Sequence, residues 1–293
     1  AGLWTHTQAG SLGAIRQRLR SGAPPVVLLQ DRVLDPDSER QAIVIGFDDR
    51  QSRMLCLEPG RRVTVYSYPE FMTRWRAGRE WMMTLAPAEP DRWPLDARER
   101  LSRARFHEHR GALDSAFSDY AAARDAGVEN SSLEVRIGNL HRALGRPAEA
   151  EAAYRRALEL DEQNGRACNN LAYLLAEQNR SLDEAVALAR KAMILEPTNP
   201  MAMDTLGYAL YRQGLFREAA DVLERARARA RWLPAAAQAE IGLHLALAHQ
   251  ANGQAHLARE VLGNVLELHP GAEIPDELQS LRGQSPARKS QQP

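Results

Sequence analysis

Cysteine is scarce: Cys56 and Cys168 are the two in 293 residues, too few and too far apart for a disulfide framework. The chain also lacks a Cys-x-x-Cys pair, a phosphate-binding glycine loop, a dinucleotide glycine motif and a Gly-x-Ser-x-Gly elbow, so no familiar centre for metal, nucleotide or serine chemistry is legible. No cofactor is expected. Charge of one sign is missing too, with Lys plus Arg at 38 and Asp plus Glu at 38, which removes the global field of a nucleic-acid protein. No apolar run approaches the ~20 residues of a membrane span. No signal peptide is legible from Ala1 onward, where Met is absent. Aromatic residues make up only 6%, so those that recur at one register carry weight.

What is present is a repeat. Gly145, Ala150, Tyr154 and Ala157 step by five, four and three, and the same steps give Gly111, Ala116, Tyr120, Ala123, then Gly214, Ala219, Leu223, Ala226, then Gly253, Ala258, Leu262, Val265. A fifth copy, Arg180, Ala185, Ala189, Ala192, fits with one residue added to its turn. Seven residues before each turn glycine stands a small residue, Ala104, Gly138, Gly207 or Ala246, with Ala172 eight before Arg180. Small residues there let antiparallel helices approach closely, while Tyr154 or Leu223 fills the space beside them.

This spacing resembles the tetratricopeptide repeat, a helix–turn–helix unit of roughly 34 residues. The resemblance covers residues 97–272, and Pro197 and Pro270 fall just after second helices, where that family usually has proline. It implies a superhelical α-solenoid whose concave face holds a peptide or protein partner. By analogy, the inward positions of the first helices are Arg98, Arg105, Asn139, Arg142, Arg166, Asn169, Tyr173, Asp204, Tyr208, Tyr211 and Arg212. Asparagine amides can hold a peptide backbone, and arginine can clamp a carboxylate with two bonds. The partner expected is an extended segment with an acidic group or a C-terminal carboxylate, held by Asn139, Arg142, Arg166 and Asn169 with Tyr173 and Tyr208 flanking an apolar side chain. The bland alternative is that the asparagines decorate a wet groove and the tyrosines pack between repeats.

Residues 1–86 read differently. Leu12, Ile15 and Leu19 make a helical stripe that Gly22-Ala23-Pro24-Pro25 ends. Val26–Gln30 is an apolar run expected as a central strand; 42–47 and 53–57 flank a turn as a hairpin, and 63–66 is a further strand. Ser67 and Pro69 open a helix with Phe71 and Trp75 on one face, Gly78 closes it, and 81–85 is a last strand. Pro87, Pro90 and Pro94 mark a linker at 87–96. The reading is an α+β domain over 1–86, the linker, an all-α solenoid over 97–272, and a capping helix (274–281) plus disordered tail (283–293) within 273–293.

The front domain resembles the second half of a papain-like peptidase of the bacterial family that cuts leader peptides after double glycine. The stretches that carry this are Gly22-Ala23-Pro24-Pro25-Val26-Val27-Leu28-Leu29-Gln30, Ala42-Ile43-Val44-Ile45-Gly46-Phe47-Asp48, Glu58-Pro59-Gly60 and Arg74-Trp75-Arg76-Ala77-Gly78. Some bacterial envelope proteins join such a domain to these repeats in this order, which implies an envelope or periplasmic location. Where the family has its histidine base, this chain has Arg40 and Gln41, neither of which can act as a base near pH 7. Glu58 stands where the orienting Asp would be. The segment carrying the cysteine is not in the chain, and Cys56 lies in an expected strand instead of at a helix start. The expectation is a domain without catalysis, in a binding adaptor. Two alternatives stay open: a cysteine peptidase whose first half is missing from this chain, and a leader-peptide receptor using the dead cleft.

Other residues invite sharper readings. His107-Glu108-His109 suggests a metal, but residues two apart point to different sides of a helix, and a solvated face is expected. Arg225, Arg227, Arg229 and Arg231 could touch phosphate, or could form a solvated face with their stems on apolar surface. His6 and His244 are expected to be structural.

Overall fold

The computed structural model describes residues 3–30, 39–60, 62–87 and 95–281. Contacts divide the chain into two units, residues 1–128 and 129–293. The first holds a six-stranded antiparallel sheet. Its strands are β1 (Leu3–Ala9), β2 (Val26–Gln30), β3 (Glu39–Asp48), β4 (Arg53–Glu58), β5 (Arg62–Ser67) and β6 (Trp81–Pro87), in the order β1-β6-β2-β3-β4-β5. Helices α1 (Leu12–Arg20) and α2 (Tyr68–Ala77) supply Ile15, Phe71 and Trp75 to one face. Period-2 alternation sends Val27 and Leu29, Ala42 and Val44, and Met54 and Cys56 into the same core. Ser11 and Ser67 cap the two helices through their side chains.

Strand β1 was not anticipated from the sequence. It pairs along its length with β6, Thr5 opposite Leu85 and Thr7 opposite Met83, a partner some eighty residues away. The expected linker at 87–96 falls largely outside the described residues. Just after it, α3 (Ala97–His109) begins with a capping box in which Asp96 and Glu99 satisfy each other's backbone N–H. Glu99 is fully buried and forms an ion pair with Arg18 of α1. That pair, and the packing of α3 on β1, place the first helical hairpin, α3 with α4 (Leu113–Asp125), in the same unit as the sheet.

The second unit stacks four more hairpins: α5 (Ser131–Ala143) with α6 (Pro147–Leu160), α7 (Gly165–Glu177) with α8 (Leu182–Leu195), α9 (Pro200–Arg212) with α10 (Phe216–Arg229), and α11 (Ala235–Ala251) with α12 (Ala255–Leu268). A 3-10 turn, Ala230–Trp232, follows α10. The repeat positions read from the sequence are the buried ones: Ala150, Tyr154, Ala157, Ala185, Ala189, Ala219 and Leu223 are all at 0% exposure. At the close approach of α5 and α6, a Cβ on Gly138 would lie 2.5 Å from Tyr154 Cε1, so only glycine fits without displacement. The turn of the third hairpin holds two left-handed residues, Asn179 at φ +53 and Ser181 at φ +44, and Arg180 is not one of them. Asparagine tolerates that conformation, and counting from Asn179 puts Ala172 at the regular seven-residue separation, with the extra residue after the turn. The C-terminal cap is shorter than expected: α13 (Asp276–Gln279) buries Leu278 in the solenoid core, joined by Leu281. The tail 283–293 lies outside the described residues.

Candidate functional site

The first helices of the second unit bring an aromatic cluster together on one face. Tyr173 and Tyr208 each follow a small residue, Ala172 and Gly207, and so share a register in successive hairpins. Their rings are 5.5 Å apart. Tyr208 stacks on His244 of α11 at 4.4 Å and on Tyr211 at 6.4 Å, and Tyr211 in turn meets Phe216 at 5.8 Å. Two guanidiniums border the rings. Arg142 lies 5.7 Å from the Tyr173 centroid and Arg212 lies 5.7 Å from the Tyr208 centroid. Arg212 Nη1 also donates to the Tyr208 hydroxyl at 2.8 Å and to the Glu177 carbonyl at 3.3 Å.

Two acids also meet the cluster. The Tyr173 hydroxyl donates to Glu240 Oε1 at 3.0 Å, and burial, then Glu240, pushes the Tyr173 phenol up. His244 Nδ1 sits 2.9 Å from Oδ1 of the wholly buried Asp204. Burial pulls the imidazole down, but the Asp204 carboxylate outweighs it and the net shift is upward, the behaviour of an imidazolium–carboxylate pair. Asp204 Oδ2 is buried without a protein hydrogen bond.

Next to the cluster runs an amide ladder. Asn139 Oδ1 accepts from the Tyr154 hydroxyl at 2.8 Å and from Asn170 Nδ2 at 2.7 Å, tying α5, α6 and α7 together. The acceptor of Asn139 is thus spent on the fold. Asn169 Nδ2 donates to Asn170 Oδ1 at 3.2 Å, and its own Oδ1 is buried without a partner. Of the residues expected along the groove, Asn139, Arg142, Asn169, Tyr173, Asp204, Tyr208, Tyr211 and Arg212 fall on these adjoining networks. Arg166 stands exposed in the first turn of α7. Arg98 and Arg105 belong to the other unit, beside Thr5 and Thr7 of β1. Glu240, His244 and Asn170 were not named from the sequence as site residues. Glu240 and His244 are four apart and so share a face of α11, a legible signal, but which aromatic rings that face meets is decided by stacking.

The remaining candidates resolve as follows. His107 is buried, its Nε2 3.9 Å from Asp119, which also takes two bonds from Arg103 at 2.7 and 2.6 Å. Glu108 accepts from the Tyr120 hydroxyl, and only His109 is exposed, so the expected solvated face at 107–109 is corrected: α3 buries this side against α4. Among the described residues no group of three or more His, Cys, Asp and Glu could hold a metal. In the sheet, Cys56 is fully buried on β4, and burial, then Glu58, pushes its thiol up to about 12. Arg40 Nη1 is 4.0 Å from Glu58 Oε2, and Glu58 also accepts from the Tyr66 hydroxyl. The side chain of His6 is outside the described residues.

Comparison with known proteins identifies the helical architecture. Residues 135–200 and 201–231 match two family models, both described as tetratricopeptide repeat. The hairpins from α5 to α10 are tetratricopeptide repeats. The fold is similar to a structure of the Cut9–Hcn1 hetero-tetramer of the APC/C (TM-score 0.54, 17% identity, 63% of this chain and 35% of that one). It is also similar to PilW, described as a type IV pilus biogenesis factor (0.51, 23%, 63% and 82%), and to MamA from Desulfovibrio magneticus RS-1 (0.50, 15%, 60% and 97%). No curated protein sequence matches the chain. Neither family model reaches the sheet, so the peptidase resemblance rests on the quoted stretches of sequence alone.

Proposed function

We propose that the chain is an adaptor that binds an extended peptide or protein segment on the face formed by α5, α7, α9 and α11, and that it does so without catalysis. The observation that carries this is Arg142. It is exposed, it lies over the half-buried Tyr173 ring, and among the described residues no acid is within ion-pair distance of it. An acidic side chain or a C-terminal carboxylate on the bound segment would take Arg142, and an apolar or aromatic side chain would lie on Tyr173 and Tyr208. Asn169 Oδ1 is buried, so it would reach a backbone N–H only after the side chain turns outward. Asn139 has only its donor left to offer.

The sheet domain fits a binding or structural role within the same adaptor. Thiol chemistry needs an accessible thiolate, and Cys56 has neither access nor a lowered pKa. On the sequence resemblance alone, Arg40 would stand where the resembled peptidases keep a base, and its guanidinium is 4.0 Å from Glu58. An envelope location, implied by that resemblance, belongs to this proposal.

Panning a displayed library of short random peptides against the native chain and against an Arg142→Ala/Tyr208→Ala chain tests the reading. Enrichment of acidic or free-carboxylate sequences on the native chain, lost in the variant of equal helicity, supports it. The same sequences enriched on both would move binding away from this face.

A further inference from the structure

The arginine run after residue 224 is not used by the groove. In the segment 225–232 four arginines, Arg225, Arg227, Arg229 and Arg231, are exposed, no acid interrupts them, and none has an acidic group within ion-pair distance among the described residues. Buried Ala226 and Ala230 hold the segment to the solenoid, so the guanidiniums project on both flanks. Trp232, at the end of the 3-10 turn, is 73% exposed, an unusual state for the largest apolar side chain.

Repeat register adds to this patch. Ile194, Arg229 and Leu268 each stand fifteen residues after their turn residue, Asn179, Gly214 or Gly253, so they end successive second helices. Ile194 is 74% exposed and Leu268 46%. Ala230 belongs to a buried cluster against which Met193 and Leu233 pack, and it also lines a cleft of about 530 Å³ with Arg227, Arg231 and Leu268. By this repeat register Ile194, Trp232 and Leu268 make a row of exposed apolar tips at the ends of successive second helices, bordered by arginines.

We infer that this row docks on an anionic phospholipid surface, with Trp232, Ile194 and Leu268 entering the headgroup region and the arginines meeting lipid phosphates. Arginine on a rim with tryptophan and aliphatic tips is the chemistry of an interfacial contact. A nucleic-acid backbone would use the arginines but would leave Ile194 and Leu268 in water. Each basic side chain close to such a membrane raises partitioning about fivefold.

The full chain is tested by sedimentation with phosphatidylcholine vesicles, with and without about 30% phosphatidylglycerol, an anionic fraction of the kind such patches read. Binding only to the anionic vesicles, with quenching of tryptophan emission by brominated lipid that Trp232→Phe removes, is the expected result. Arg229→Gln/Arg231→Gln should lower partitioning roughly 25-fold. Because these side chains are exposed, the variants fold as the native chain does, which circular dichroism checks. No binding to anionic vesicles overturns the inference, as does binding that both variants retain. Capture of duplex DNA by the native chain, without lipid quenching of Trp232, overturns it in favour of a nucleic-acid surface.

Discussion

Replacing Gly138 by alanine should destabilise the solenoid, although alanine is the better helix former. The added methyl would sit 2.5 Å from Tyr154 Cε1 and 2.7 Å from Cδ1. Carbon atoms pack at about 3.5–4.0 Å, so the ring must retreat by roughly 1 Å. Tyr154 is fully buried, and its hydroxyl is tied to Asn139 Oδ1, which in turn holds Asn170 of the next hairpin. Overpacking costs about 1–3 kcal/mol. A strained or broken hydrogen bond adds about 0.5–1.5 kcal/mol. The helix gains back about 1 kcal/mol from alanine. Ala104 stands opposite Tyr120 at the same register of the first hairpin, so a methyl is tolerable where the helices are spaced for it. That argues for the low end, a net loss of about 1–2 kcal/mol and a melting temperature lower by about 3–6 °C. Urea and thermal unfolding followed at 222 nm (about the helix minimum) measure it. A double-mutant cycle with Tyr154→Phe separates the causes: if the ring drags its hydroxyl off Asn139, the two changes are less than additive. A Gly138→Ala chain as stable as the native one, or more stable, would refute the close-approach argument.

Three further outcomes are expected. Asp119→Ala should cost about 3–5 kcal/mol in urea unfolding, because it strips the buried Arg103 guanidinium of a two-bond partner; a loss under about 1 kcal/mol would mean that the pair is solvated. Cys56 in the native chain should resist alkylation at pH 8, and react once urea unfolds the sheet, as mass spectrometry reads; rapid native labelling would contradict its burial and its thiol pushed up to about 12. His244 has a folded pKa above its unfolded value near 6.5, so its pair with Asp204 stabilises fully below about pH 6.5 and that contribution fades as pH rises through the folded value. The stability gap between the native chain and His244→Gln should therefore shrink from pH 5.5 to pH 9, and a gap that widens would reverse the sign.

The sequence by itself determined the repeat. Helical spacing is local, so the steps from Gly145 to Ala150, Tyr154 and Ala157 announce a buried face without knowledge of any distant partner, and every hairpin follows. By analogy with the tetratricopeptide repeat it also put Arg142, Tyr173 and Tyr208 among the expected inward positions, and the folded chain brings these three side chains together. Only tertiary structure decided that Glu240 and His244 reach the tyrosines, that Asn139 spends its oxygen on Tyr154 and Asn170, and that β1 closes on β6. Each of these joins residues far apart in the chain, and the ladder or stack that brings them together leaves no periodic trace. The place of the first hairpin was hidden for the same reason: the burial of Glu99 against Arg18, some eighty residues earlier, exists only in the folded chain.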